Sequence, residues 1–378
     1  MERFDEIYER CAPAFACRSC AQGEGYAIIN PTLFWRNFVM RYPDFLPQGG
    51  TIGFVAPSFG CNIEPYHTAF CAALDRLEGE GYGIDLGPNC FAGDGIGISS
   101  TPANCGRELT DYYCSDRNDA LISCGGGELM CEILDHVDFD RVAAAKPKWY
   151  MGYSDNTNFT FLLTTLCDVA SIYGPCASSL GMSPRHPAIQ DAMDVLTGRK
   201  LHLESYGLWE REKDEEAAPT APYRATEPLV LHSFPERNMT FSGRLLGGCV
   251  DCLVNFLGTC YDNVKAFADA YRNDGILWFL ESCDLNVMGI RRAIWQMQHA
   301  GWFDHVSGFL IGRPLCYGQE LMGLDQYHAV IDLLEQYHVP IVMDVDIGHL
   351  PPQMPLICGS MATVTVKGNH LSVDMELR

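Results

Sequence analysis

Positive charge is scarce in this chain: 26 Lys and Arg stand against 48 Asp and Glu in 378 residues, a formal net charge of −22. A surface of that sign repels a phosphate backbone, so nucleic acid is not an expected partner. No apolar run is long enough to span a bilayer, and no membrane partner is expected either. The opening residues, "MERFDEIYER", are charged and amphipathic rather than signal-like, which points to the cytoplasm. A dinucleotide fingerprint, a GKS/GKT phosphate loop and an HExxH helix are all missing, which disfavours nicotinamide, P-loop and zincin chemistry.

Cysteine is abundant instead, with 18 residues scattered through apolar segments. Without a signal, reduced thiols are the simpler reading. Of two CxxC pairs, Cys17/Cys20 and Cys249/Cys252, neither has a second half to complete a four-ligand zinc site. The second pair lies in "LLGGCVDCLVNFLG", read as an apolar helical stretch with thiols acting as small hydrophobes. No metal and no cofactor are expected.

From residue 51, short apolar runs alternate with longer amphipathic ones: "TIGFVAPS", "YHTAFCAALDRLEGEGY", "DALISCGGGE", "ELMCEILDHV", "KWYMGYS" and "NFTFLLTTLCD". Strand, loop and helix in repetition predict an α/β fold with a parallel sheet, whose ligands bind at the carboxyl ends of the strands. The expected organisation is an N-terminal extension over 1–47, a Rossmann-like parallel-sheet domain over 48–181, a linker and substrate loop over 182–240, and a second α/β domain over 241–378. The linker reading rests on the charged, non-periodic "EREKDEEAAPTAPYRATEP". The second unit closes on a hairpin, "TVTVKGNHLSVDM", with a Gly-Asn turn.

Three strand ends carry side chains with chemistry. Ser154 follows "KWYMGY", Glu281 ends "GILWFLE", and His349 follows "PIVMDVDIG". A hydroxyl, a carboxylate and an imidazole are the parts of an activated nucleophile. The glycine cluster "SCGGGE" after a strand offers backbone N–H groups to an anion, and the Asp155 N–H would add a second donor. From the local motif alone, Ser154 reads more readily as a helix cap than as a nucleophile. The α/β-hydrolase elbow has a glycine two residues after its serine, where this chain has Asn156.

The motifs "ALISCGGGE", "MGYSDNT", "IYGP", "FSGRLLGGC", "FLES", "FLIGRP" and "DIGHLPPQMPL" resemble, in order and spacing, the LD-carboxypeptidases, over about residues 50–370. That family holds muramoyl-tetrapeptide carboxypeptidases and microcin C immunity peptidases. The resemblance implies a serine hydrolase with Ser154 as nucleophile, His349 as general base and Glu281 holding its tautomer, with Gly126 and Asp155 as oxyanion-hole amides. It implies removal of a C-terminal D-amino acid from an L,D-linked muropeptide through an acyl-enzyme, as in murein tetrapeptide recycling, by a homodimer. Alternatives are hydrolysis of a peptide–nucleotide conjugate, or a catalytically silent peptide-binding homologue. The loop "SYGLWEREKDEE" carries Tyr206 and Trp209, which the microcin-type branch would use to stack on a base. Arg244 and Arg313 are the candidates to anchor a substrate carboxylate. Cys124 departs from the family pattern, since muramoyl-peptide enzymes often have Arg before the glycines.

Overall fold

The computed structural model describes residues 39–212 and 217–378; Cys11, Cys17 and Cys20 lie outside the described residues. The strand–loop–helix alternation is present as expected. Thr51–Val55, Gly83–Leu86, Ala120–Ser123, Trp149–Gly152 and Ser171–Tyr173 pair in parallel. Continuous apolar runs suit strands covered on both faces: Ala120–Ser123 and Trp149–Gly152 are buried throughout, while Gly83–Leu86, at the edge, is partly exposed. The amphipathic helix Tyr66–Gly79 buries Ala69, Phe70, Ala73 and Leu77, the three-to-four spacing of one face.

A second sheet holds eight strands, in the spatial order His202–Glu204, His370–Glu376, Met361–Lys367, Asn238–Cys249, Ile276–Glu281, Val306–Gly312, Ile341–Val345 and His232–Phe234. The four from Asn238–Cys249 to Ile341–Val345 run parallel. The closing hairpin turns at Gly368, where φ is +64°. Between the sheets lies the helix Thr157–Cys167, buried at every residue and in contact with strands of both. Its Phe161 ring stacks on Phe256 and Trp302, with Trp278 beside them, so apolar packing fixes this helix firmly.

Three expectations are corrected by the structure. The segment 182–240 is more than a linker: it forms the helix Pro187–Leu196 and the strands His202–Glu204, Leu208–Trp209, Glu227–Pro228 and His232–Phe234. The four strands are two or three residues each, too short to show a period, whereas the ten-residue helix does bury one apolar face. Cys249 ends a twelve-residue strand rather than sitting in a helix; the helical turns Val250–Leu253 and Val254–Phe256 follow it. Finally, Leu356–Cys358 leaves the C-terminal half and adds antiparallel to Ser171–Tyr173 in the first sheet. The two halves therefore share a strand pairing. Residues 39–47, assigned to the extension, are tied in as well. Arg41 bridges to Val169, and its guanidinium donates to the Ala143 and Cys167 carbonyls. No helix among the described residues is long and apolar enough to cross a membrane.

Candidate active site

In the first sheet, Ala120–Ser123, Trp149–Gly152 and Ser171–Tyr173 are side by side and parallel, so the glycine loop, Ser154 and Tyr173 emerge at one edge. Ser154 opens a short 3-10 turn, Ser154–Asn156, at φ +62°. A non-glycine residue in that region is strained, at a cost of about 1–3 kcal/mol, and persists only where its surroundings hold it. Asn156 is one such support. Its amide donates to the Gly125 carbonyl at 2.8 Å and accepts from the Tyr150 hydroxyl at 2.5 Å, tying the serine turn to the glycine loop. Asp155 is a second. Its buried carboxylate accepts from Ser58 Oγ at 2.5 Å, from the Met130 N–H at 2.9 Å and from the Asn158 amide at 3.0 Å. Burial pushes that carboxyl up to about 6 despite these donors.

The second sheet brings its own strand ends to the same place. Glu281 closes its strand fully buried, and His349 follows Ile341–Val345, two strands away. The loop after Ile341–Val345 must fold back across Gly312 to reach Glu281. A Cβ on Gly312 would lie 2.1 Å from the Ile347 carbonyl, and one on Gly348 2.7 Å from Glu281 Oε2. Gly348 also sits at φ +110°, so glycine is required at both positions.

Ser154 Oγ lies 2.8 Å from His349 Nε2, and His349 Nδ1 lies 2.8 Å from Glu281 Oε2. Burial raises the Glu281 carboxyl, but the charge and hydrogen bond of His349, with further bonds from Tyr173 and Cys249, outweigh it and hold the group below its ordinary value. An ionised Glu281 accepts from Nδ1–H, which leaves Nε2 free to accept the Ser154 hydroxyl proton. Burial opposes the imidazolium, yet the Glu281 charge, with bonds from Cys283 and Glu281, raises His349 well above the usual histidine value. The Ser154 hydroxyl thus goes to His349, while the residue at the start of the following helix is Asn156.

Among the three glycines, Gly126 faces the serine: a Cβ there would lie 3.4 Å from Ser154 Oγ, whereas Gly125 faces the Phe59 carbonyl and Gly127 faces Ser58. Such a constellation, a hydroxyl on a strained turn with an ordered imidazole and adjacent backbone amides, can carry acyl transfer.

Residues 52–174 match the LD-carboxypeptidase N-terminal domain, and residues 242–364 match the LD-carboxypeptidase C-terminal domain. The chain belongs to the LD-carboxypeptidase family. The family is one of serine peptidases. The microcin C7 self-immunity protein MccF of Escherichia coli is 22% identical over 88% of this chain and 95% of its own. A Streptomyces coelicolor protein with a provisional carboxypeptidase name is 24% identical over 88% of this chain and 96% of its own. In fold, the chain is similar to an MccF-like protein from Bacillus anthracis, with a TM-score of 0.74 and 20% identity, covering 89% of this chain and 100% of that one.

Other expected site residues in this LD-carboxypeptidase family member are placed differently. Arg244 is a correction. It pairs with Ile276 at the start of the strand that ends in Glu281, about 16 Å away at about 3.3 Å per residue. Its guanidinium is committed to Asp274 at 2.6 Å, to the Gly359 carbonyl at 2.6 Å and to the Tyr42 hydroxyl at 3.0 Å, and it lies over the Tyr271 ring. Arg313 is likewise buried on Asp346 at 2.6 Å. Neither side chain is free to anchor a substrate.

Trp209 is corrected too. It is 4% exposed, its ring lies under the Arg313 guanidinium and against Tyr317, and its Nε1–H donates to the Pro228 carbonyl. Tyr206 gives its hydroxyl to Asp191 and its N–H to Asp346. Tyr206 ties the loop to Asp346, in the segment before His349, and Trp209 presents no free stacking face. Cys124 is fully buried, with its carbonyl accepting from Cys61 Sγ, so its side chain does not enter the site.

One residue of the site went unassigned at the level of sequence. Tyr173 lies in the quoted motif "IYGP", and its hydroxyl donates to Glu281 Oε1 at 2.6 Å. The motif was visible; the contact depends on how the two sheets dock.

Proposed function

We propose that this protein is a serine carboxypeptidase that removes a C-terminal D-amino acid from an L,D-linked muropeptide. The observation supporting the serine-hydrolase chemistry is the relay Ser154 Oγ, His349 Nε2, His349 Nδ1 and Glu281 Oε2, with both gaps at 2.8 Å; the muropeptide substrate is what the family resemblance implies. Ser154 Oγ attacks the scissile carbonyl as His349 Nε2 takes its proton, and Glu281 stabilises the imidazolium. The Gly126 and Asp155 N–H groups receive the developing oxyanion. The C–N bond then breaks, His349 protonates the leaving amine, and water attacks the acyl-enzyme with His349 again as base. The same reading makes the protein a cytoplasmic homodimer, and sedimentation of the full chain tests the dimer.

A second reading uses the same relay on a peptide–nucleotide conjugate. It draws on the immunity relative and on solved structures of MccF with glutamyl sulfamoyl guanosine and with aspartyl sulfamoyl adenosine. Against it stands the covered ring of Trp209, which offers no free face for a base. The deciding assay incubates the full chain with a muramyl tetrapeptide and, separately, with an aminoacyl sulfamoyl nucleoside. The first reading expects release of D-alanine and an intact nucleoside conjugate. Cleavage of the conjugate alone rejects it.

A further inference from the structure

Tyr173 is fully buried at the carboxyl end of its strand, and its phenol touches both halves of the relay. The oxygen accepts the Ser154 N–H at 3.1 Å, and the O–H donates to Glu281 Oε1 at 2.6 Å. The remaining Glu281 oxygen bonds His349 Nδ1, and His349 Nε2 returns to Ser154 Oγ. Ser154, His349, Glu281 and Tyr173 therefore close a ring that spans the two sheets. Its polarity is forced. An amide N–H only donates and an ionised carboxylate only accepts, so the phenol must send its single proton to Glu281.

Two consequences follow from this polarity. The backbone of Ser154, at φ +62°, has its N–H held by a rigid aromatic anchor rather than by water. The Glu281 charge is also shared with donors other than His349, Tyr173 by the short bond and Cys249 beside it, so it draws a proton onto His349 less strongly than a carboxylate with His349 alone. We propose that Tyr173 is a positioning residue for the reaction, holding the nucleophile's backbone and moderating the basicity of His349 through Glu281. This inference rests on the serine-hydrolase function proposed above.

Burial and the neighbouring Glu281 charge keep the Tyr173 phenol far above its ordinary value, so it stays protonated and remains a donor. Other groups face the histidine–glutamate pair. Cys249 bonds Glu281 from the adjacent strand, and Cys283 lies beside His349 from the loop after Glu281. The Tyr153 ring is 5.2 Å from the imidazole, and Glu128 on the glycine loop senses its charge. All of these are retained when only the Tyr173 hydroxyl is removed.

The test measures inactivation of the full chain by a fluorophosphonate, in which Ser154 Oγ bonds phosphorus, fluoride leaves and His349 takes the hydroxyl proton. Second-order rates are followed across pH for wild type and Tyr173→Phe, with melting temperatures alongside. We expect the plateau rate to fall about 10- to 100-fold and the acid limb to move up by about half a unit to one unit, because the carboxylate has lost a donor. Tyr150→Phe removes a buried hydroxyl that bonds Asn156 rather than Glu281, and leaves the limb in place. If Tyr173→Phe does not fold, 3-fluorotyrosine at position 173, a stronger donor, moves the limb down instead. A limb that stays put in the folded variant overturns the inference, whatever the rate. A wild-type chain that takes no label at Ser154 overturns the proposed function and this inference together.

Discussion

Glu281→Gln is isosteric, so the outcome depends on which way the new amide turns. The Tyr173 O–H keeps an acceptor for its proton only at residue 281, since the Ser154 N–H on its other side can only donate. The amide oxygen therefore takes the place of Oε1 facing Tyr173, and the NH2 faces His349 Nδ1. An NH2 donor requires Nδ1 to accept, which moves the ring proton to Nε2. That proton then points at Ser154 Oγ, 2.8 Å away, and the histidine can no longer take the hydroxyl proton. A wrong tautomer of this kind in an aspartate-to-asparagine protease variant costs about 10⁴-fold in kcat, equivalent to about 5 kcal/mol of barrier. The same loss is expected here, with KM little changed because Glu281 is fully buried and does not reach substrate. Steady-state release of D-alanine from the tetrapeptide measures it, and a melting curve separates lost chemistry from lost fold. A folded Glu281→Gln enzyme with kcat within about tenfold of wild type would refute the tautomer argument.

Further predictions concern neighbouring groups. Gly126→Ala places a methyl 3.3 Å from Ser154 Cβ and 3.4 Å from Oγ, so kcat should fall about 10- to 100-fold with the melting temperature nearly unchanged; unaltered kcat would show that this glycine does not border the reacting atoms. Arg244→Met leaves the buried Gly359 carbonyl without its donor and breaks the pair with Asp274, and should lower stability by about 1–3 kcal/mol in urea titration while leaving kcat of the folded enzyme intact. A selective rise in KM would restore Arg244 as an anchor. The acid limb of kcat/KM should lie above the ordinary histidine value of about 6.5, since protonated His349 cannot act as base and Glu281 raises its proton affinity. By the same sign, His349 contributes stability that is fully present below its unfolded pKa and lost as pH rises through its raised folded value. A limb below about 6 would contradict both statements.

Much of this architecture was readable before the structure, for a physical reason. Buried parallel strands such as "DALIS" and "KWYMG" are short, continuous apolar runs, and their carboxyl ends are where loops and chemistry collect. Ser154, Glu281 and His349 each stood at such an end. Less legible was anything set by contacts between distant segments. Arg244 looked like an available cation because the sequence does not reveal that Asp274, Gly359 and Tyr42 surround it. Trp209 suggested a stacking platform because its burial under Arg313 depends on the docking of a loop. The strand Leu356–Cys358 was hidden because three residues carry no period, and its partner lies in the other half of the chain. Asn156 illustrates the middle case. It was seen as the residue replacing a glycine, while its bonds to Gly125 and Tyr150 appear only in three dimensions.

The central claim is that Ser154 Oγ becomes acylated. Rapid acid quenching of the full chain during turnover of a muramyl tetrapeptide, followed by peptide mass mapping, tests it most directly. The account predicts that the peptide containing Ser154 gains the mass of the substrate lacking its terminal D-alanine, and that Ser154→Ala gains nothing and releases no D-alanine. Release of D-alanine by Ser154→Ala at the wild-type rate would contradict it.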